Sequence, residues 1–268
     1  MDLNTVVEVV SPAGPGQWRP GDAWLGGGTA LFAEPDPAVT RLLDLAAAGW
    51  APLTVTDRGL EIAATCTIAE LAAFTGRPEW TALHGLLLGC CHAFLASFKI
   101  WNVATVGGNL CAALPAGPMI ALTAALDGRC RILTPAGEAR WVEVADFVTG
   151  DGRTVLAEGE LLRSVELPVT ALTGRTAYRK GSLHPLGRSA VLLAGRRTGT
   201  GGLVLTVTAA TKRPYRLRFA AAPTAEMMSV ALSERIPPDA YVTDVHGSPL
   251  WRRHLTRLYA EQIRAELS

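Results

Sequence analysis

The sequence predicts an α+β chain of two lobes, and three observations carry that expectation. At 268 residues the chain is past the size at which one core commonly divides. Residues 1–170 alternate strand-like and helix-like stretches, whereas residues 171–268 give strands in succession and then two helices, the order of an antiparallel sheet with helices packed on it. The polar, glycine-containing VTALTGRT at 169–176 marks the boundary between the lobes.

The elements follow in order. VVEVV (6–10) reads as a strand, the Pro/Gly-rich SPAGPGQWRPGD (11–22) as a connector, and AWL (23–25) as a short strand running into three glycines. No long helix fits before residue 37; AVTRLLDLAA (38–47) reads as helical. Residues 53–74 give two strands around a DRG turn and then a helix that Thr67 caps with Glu70 three positions on, the capping-box spacing. Residues 79–98 form an apolar helix, WNVATVGGNL (101–110) a loop, and MIALTAALDG (119–128) a small-residue helix. RCRILTP and ARWVEVADF form a hairpin punctuated by Pro135 and Gly137, and ELLRSVELPV gives a strand ended by Pro168.

In the second lobe, strands are expected at TAYRKG (176–181), GLVLTVTAAT (202–211) and PYRLRFAAA (214–222), with helices at 224–235 and 249–267. The last helix has Ser248 as cap and Pro249 at its first position. Its stripe of Leu250, Trp251, Leu255, Leu258, Tyr259 and Ile263 is expected to dock, with Arg252, Arg253, Arg257 and Arg264 on a solvated face. Arg216 and Arg218 alternate with Tyr215, Leu217 and Phe219 as on a half-wet strand.

Apolar residues make up 49% of the chain and charged ones 18%, with a net charge of +1, so no polyelectrolyte field points to nucleic acid or to an acidic membrane surface. The first residues lack a basic segment followed by an apolar one, which gives the expectation of a cytoplasmic protein without a leader. Residues 80–98 carry no charged side chain, but two histidines, two glycines, a threonine and a serine fit a buried helix better than a membrane span. The five cysteines are odd in number and show no CxxC, so they read as small, mostly buried hydrophobes rather than as disulfides or metal ligands. The carboxylate pairs Glu158/Glu160 and Asp146/Asp151 lie near turns and are expected to be solvated.

The strongest candidates for chemistry are two glycine loops about eighty positions apart, Gly26-Gly27-Gly28-Thr29 and Thr105-Val106-Gly107-Gly108-Asn109. Glycines let successive backbone N–H groups turn toward one point, and a neighbouring Thr or Asn adds a directed hydrogen bond. Two such loops could grip one pyrophosphate from both sides, while either loop alone reads more readily as a tight turn. Neither matches GxGxxG or GxxxxGK[ST], and no GxSxG, HExxH or metal-ligand spacing occurs.

With their order and flanks, the loops resemble the flavin-binding medium subunit of molybdenum hydroxylases of the xanthine dehydrogenase and carbon monoxide dehydrogenase type. The resemblance rests on GGGTAL (26–31), LEIAATCTIAEL (60–71), KIWNVATVGGNLCAALPAGP (99–118), EGELLRSVELP (158–168), YRKG (178–181) and HGSPLWRRHLTRLYAEQI (246–263). It implies an FAD-binding domain of the PCMH type over residues 1–170, in two α/β subdomains of about 1–52 and 53–170. A C-terminal domain of antiparallel sheet and helices would follow over 171–268.

By position in that family, Leu25, Gly26, Gly27, Gly28, Thr29 and Ala30 would hold the FAD pyrophosphate from one side and Thr105, Gly107, Gly108 and Asn109 from the other. Leu162 would lie against the isoalloxazine ring, and Lys180 beside its polar edge, where a cation favours the anionic reduced flavin. The sequence departs from the family at Trp101, where an arginine is usual, at Pro118 in place of an aspartate, and at Arg188 or Ser189 in place of another. The resemblance further implies an oxidoreductase subunit that passes electrons from an iron–sulfur partner to NAD or another acceptor. The [2Fe-2S] clusters and the molybdenum cofactor would sit in partner chains. The departures leave open a flavin-free subunit that only docks partners, and a third expectation is a self-sufficient flavin oxidase.

Overall fold

The computed structural model describes residues 3–268. Its first sheet is parallel, built from β1 (Glu8–Val10), β2 (Asp22–Leu25) and β3 (Arg41–Asp44) in the order β1-β3-β2. Parallel neighbours need a crossover, and α1 (Thr29–Ala33) lies within the one between β2 and β3. Residues 38–47, expected to be helical, thus supply the central strand instead. Leu42 and Leu43 are both buried, and a strand covered on both faces shows an apolar run rather than alternation. Only its tail turns, as a 3₁₀ segment over Leu45–Ala48 whose cap is the Asp44 carboxylate, accepting from the Ala46 N–H at 2.9 Å.

A second, antiparallel sheet combines β4 (Leu53–Thr56), β5 (Gly59–Ala63), β6 (Arg129–Leu133), β7 (Ala139–Glu143) and the long β10 (Leu161–Pro168), in the order β4-β5-β10-β6-β7. The small hairpin β8 (Val148–Gly150) and β9 (Arg153–Thr154) intervenes before β10, after the one-turn α7 (Val144–Phe147). Against this sheet pack α2 (Ile68–Ala72), α3 (Thr81–Ala93), α4 (Phe98–Trp101), α5 (Val106–Ala112) and α6 (Pro118–Ala125), which enclose the main core with Ile62, Leu83, Leu86, Met119, Leu122 and Val165. The capping box at Thr67 and Glu70 forms as expected: the Thr67 hydroxyl accepts from Glu70 N–H, and the Glu70 carboxylate from Thr67 N–H at 2.8 Å. The apolar helix ends at Ala93, and among the described residues no helix is long and apolar enough to cross a membrane.

After the single turn α8 (Val169–Leu172) come β11 (Thr176–Gly181), β12 (Val191–Arg197), β13 (Leu203–Thr208) and β14 (Tyr215–Phe219), an antiparallel sheet in chain order, then α9 (Ala225–Arg235) and α10 (Pro249–Leu267). The strand over Val191–Arg197 lies outside every predicted element. One face of this sheet, through Leu192, Ala194 and Ala209, joins the main core; the other, through Val191, Leu193, Leu205 and Val207, packs on α9 and α10.

Several polar residues expected in solvent are buried. On α10, Arg252 is 1% exposed, whereas Leu250 is 78% exposed. The seam of α10 runs through Arg252, Thr256, Ala260, Ile263 and Leu267. The Arg252 guanidinium donates to the carbonyls of Ala190 and Ala209 at 2.6 and 2.8 Å and to Asp244, so its burial is satisfied. Arg216, half-buried, and the buried Arg196 turn onto Asp127 just past the end of α6, and the exposed Arg218 reaches the same carboxylate from the surface. Glu160 is buried against Arg140, which donates to it at 2.7 Å, and against the Ala157 N–H. Cys66, Cys90, Cys91 and Cys130 are buried free thiols, and Cys111 is exposed.

Candidate functional site

The two glycine loops meet. Strand β2 ends at Leu25; Gly26–Gly28 turn, with Gly28 at φ 73°, and Thr29 opens α1. A Cβ on Gly27 would lie 1.6 Å from the Val103 carbonyl oxygen and 2.6 Å from its carbon, so only a glycine lets the first loop lie on the second. Gly26 is placed less tightly, against the Thr105 side chain, whose Oγ1 would be 3.1 Å from a Cβ there. Gly107 serves the next layer down, because its Cβ position is 2.5 Å from the Ala64 methyl at the end of β5. At Gly27 and Gly107 backbone lies on backbone, between segments far apart in sequence.

The second loop is not a loop throughout. Val106 begins α5, although Gly-Gly-Asn is a poor helix sequence. Thr105 caps it, its buried Oγ1 accepting from the Gly108 N–H at 3.0 Å. The remaining N–H groups are also engaged: Val106 donates to the Cys66 carbonyl at 2.8 Å and Gly107 to that of Ala64 at 2.9 Å. Ala64 N–H in turn donates to the Arg163 carbonyl at 3.0 Å, which ties this loop to β10. The Asn109 Oδ1 accepts from the Met119 N–H at 3.0 Å and so supplies a cap for α6. Pro118 occupies the first position of α6, where a missing N–H costs nothing. Fixing Oδ1 in this way leaves the Asn109 NH₂ as the free donor of the loop.

Donors are concentrated in the first loop. Among the described residues, the N–H groups of Gly27, Gly28, Thr29, Ala30 and Leu31 donate to no protein acceptor. Unpaired donors at the start of a helix attract anions. A run of five such groups, held against the loop that presents Asn109, fits a diphosphate bridge such as that of FAD. Sequence reasoning assigned both loops alike; the structure separates a donor loop from a backing loop. It also adds Val103, Ala104 and Ala64, whose only signal in the sequence is small size at Ala104 and Ala64.

The other two site residues stand on different sheets. Leu162, on β10 opposite Ile132, is 2% exposed and part of the main core, next to an irregularity in register before Ser164. The adjacent Arg163 lays its guanidinium over the Trp50 ring at 4.1 Å, beside Glu61 at 3.7 Å. Lys180, half-buried on β11 opposite Leu192, forms no ion pair among the described residues. Of the departures, Trp101 stacks on His92 with ring centroids 5.7 Å apart, Arg188 is exposed, and Ser189 is buried with its hydroxyl unpartnered. Among the described residues no cluster of His, Cys, Asp or Glu could hold a metal ion.

Comparison with known proteins agrees with this geometry. The family model described as FAD binding domain in molybdopterin dehydrogenase matches residues 19–170. Xanthine dehydrogenases 2 and 1 of Arabidopsis thaliana are each 31% identical to the chain over 125 residues, 44% of the chain but 9% of those proteins. The chain thus corresponds to a small part of these relatives. Among solved structures, quinoline 2-oxidoreductase from Pseudomonas putida 86 superposes with a TM-score of 0.77 at 20% identity, covering 98% of this chain and 96% of that one. Reconstituted CO dehydrogenase from Oligotropha carboxidovorans gives 0.75 at 20% identity, covering 91% and 90%. At such identity the superpositions speak for the fold, whereas the match over 19–170 spans more than half of the sequence and both glycine loops. The chain belongs to the family of FAD binding domains of molybdopterin dehydrogenases, and FAD is the cofactor of that family.

Proposed function

We propose that the chain is the FAD-carrying subunit of a molybdenum-hydroxylase-type oxidoreductase and passes electrons from an iron–sulfur partner subunit to NAD or another acceptor. In this reading the molybdenum cofactor and the [2Fe-2S] clusters belong to partner chains. The FAD-binding domain spans residues 1–170, in subdomains of about 1–52 and 53–170, and residues 171–268 form the C-terminal domain. The observation that carries the reading is the backbone contact of the two loops, with five unpaired N–H groups on one of them.

Each site residue then has a distinct task. The N–H groups between Gly27 and Leu31 bind the pyrophosphate. Gly26 and Gly27 set the distance between the loops, Gly107 lets the second loop lie on Ala64, and Gly28 supplies the left-handed turn into α1. Thr105 and Gly108 fix the N-terminus of α5, and Asn109 donates its NH₂. Leu162 gives the apolar wall on the ring side, and the Lys180 ammonium stabilises negative charge at the polar edge. When bound, the flavin would collect electrons arriving one at a time and pass them on singly or as a pair.

The purified chain should show the flavin absorbance band and release FAD on denaturation. Ala30→Glu gives the sharper test, because Ala30 is exposed in the first turn of α1, where a carboxylate suits the helix dipole. The variant should fold at least as stably as the parent and yet lose about tenfold or more in FAD affinity, through repulsion of the pyrophosphate. Undiminished affinity would reject the loop assignment. Addition of an organic substrate should leave the flavin of the isolated chain oxidised until the molybdenum-cofactor and iron–sulfur partners are both supplied; bleaching without them would favour a self-sufficient oxidase.

A further inference from the structure

Helix α3 and strand β11 run side by side, and three contacts fix their register. The Thr81 hydroxyl donates to the Gly174 carbonyl at 3.0 Å and accepts from the Gly174 N–H at 3.1 Å. One turn on, a Cβ on Gly85 would stand 2.2 Å from the Thr176 Oγ1, so the glycine leaves room for that side chain. A further turn on, the Tyr178 ring lies on Gly89, 3.6 Å from its Cβ position, and the Tyr178 hydroxyl donates to the Gly89 carbonyl at 3.2 Å. Four helical residues rise about 6 Å and two strand residues about 6.8 Å, so steps of four on α3 match steps of two on β11.

Lys180 is the next step. Residues two apart on a strand share a face, so Lys180 points the same way as Thr176 and Tyr178. Its cross-strand partner Leu192 belongs to the main core, whereas Arg179 turns the other way, onto Gln262 and Glu266 of α10. On α3 the matching position is Ala93, the last residue of the helix. The C-terminal end of a helix is its negative end and suits an ammonium group. From there the chain runs through α4 to Val103, on which Gly27 closes. One helix thus sets the height of Lys180 and leads into the backing of the glycine loops. Helix α3 is anchored, with Leu83, Leu86, Cys90 and Cys91 wholly buried, whereas β11 is an edge strand that takes its position from what packs on it.

We propose, taking the chain as the flavin subunit, that Tyr178 is a positioning residue. Its ring and hydroxyl, seated on Gly89, lock β11 to α3 at the height that brings the Lys180 ammonium to the polar edge of the flavin. Tyr178 acts through Lys180 and leaves the pyrophosphate to the glycine loops.

The test uses the flavin-loaded whole chain and reads the midpoint potential of the bound flavin by reductive titration with a reference dye, with the affinity for oxidised FAD measured alongside. Lys180→Met removes the cation and should lower the affinity for reduced relative to oxidised flavin about tenfold, which is about 30 mV for a two-electron couple. Tyr178→Ala should lower it about threefold or more, and Tyr178→Phe, which keeps the ring on Gly89, by less. Gly89→Leu wedges the ring away while improving helix propensity, and should match Tyr178→Ala. In the Lys180→Met background neither Tyr178→Ala nor Gly89→Leu should move the potential further.

The same shift from Tyr178→Ala with and without Lys180 overturns the proposal, and so does a shift from Lys180→Met with none from Tyr178→Ala. Loss of oxidised FAD affinity in Tyr178→Ala also overturns it, as the mark of a loosened cleft. An unchanged potential in Lys180→Met removes the flavin-edge role of Lys180 and the proposal with it, whereas a chain that takes up no FAD overturns the flavin reading as a whole.

Discussion

Gly27→Ala separates the spacing role of the glycines from phosphate approach. The new Cβ would sit 1.6 Å from the Val103 oxygen, about 1.8 Å short of the 3.4 Å at which ordinary contact begins. The obstacle is backbone, and a carbonyl cannot rotate away as a side-chain end can. The loops must therefore part by more than the tolerance of a hydrogen bond, whose donor–acceptor range is only about 2.7–3.2 Å. Bonds to a charged group contribute about 1.5–3 kcal/mol each. Loss of two through displacement costs about 3–6 kcal/mol, or roughly 10²–10⁴-fold in Kd. Flavin fluorescence titration of apoprotein measures this, with denaturant unfolding in parallel. Gly49→Ala is the control, since Gly49 is left-handed at φ 59° with nothing within 4 Å of its Cβ position. It should cost about 1–2 kcal/mol in stability and leave the FAD titration unchanged. A Gly27→Ala protein that binds FAD with wild-type affinity would refute the claim that this glycine sets the distance between the loops.

Asp127→Asn should destabilise the protein by about 3 kcal/mol in urea titrations, because it leaves Arg196, 2% exposed, without its counter-charge. Asn tolerates the left-handed backbone at this position, φ 53°, so the loss reports charge rather than strain. Hydrogen bonding from Arg140, opposed by burial and helped by the Ala157 N–H, holds the Glu160 carboxyl below its ordinary 4.5. A depressed folded-state value gives stability that is present above 4.5 and lost as the pH falls through the folded value. Urea midpoints should therefore fall across that acid range, and Glu160→Gln should be less stable at neutral pH with a flatter acid limb. Burial pushes the Cys66 and Cys91 thiols up to about 12, so iodoacetamide at mild alkaline pH should label them only after unfolding, by mass spectrometry of digests.

The legible parts of the fold were those whose signals are local. Ser248, Pro249 and the Thr67/Glu70 spacing fixed helix starts, because a cap is a bond between residues three apart. The errors came where long-range burial decided. Residues 38–47 have helical spacing, but Leu42 and Leu43 sit between two other strands. VLLAGRR carries alanine, glycine and two arginines, yet it is a central strand whose Arg196 is neutralised by Asp127 across the chain. Arg252 and Glu160 read as exposed residues, yet each is buried on partners that no local pattern ties to it: Ala190 and Ala209 for Arg252, besides the nearer Asp244, and Arg140 for Glu160. Within the candidate site the glycine loops were visible as a pair. Val103 and Ala64, against which they close, lie inside matching stretches but carry no side-chain signal of their role, since what they contribute is backbone position.

This asymmetry bears on how glycines beside a bound anion are to be read. Absence of a Cβ permits close approach of whatever lies nearest, and here that neighbour is Val103 for Gly27 and Ala64 for Gly107. Gly107 and Gly108 spend their own N–H groups on Ala64 and Thr105. The second loop therefore contributes little donor capacity of its own; it acts as a rigid backing that presents Asn109 and positions the open N–H groups of the first. The same division accounts for Pro118. An aspartate at that position would bring an acceptor to the site, whereas proline starts α6 and leaves its cap to the Asn109 Oδ1. Asn109 is thereby held from two directions, by α5 through its backbone and by α6 through its side chain.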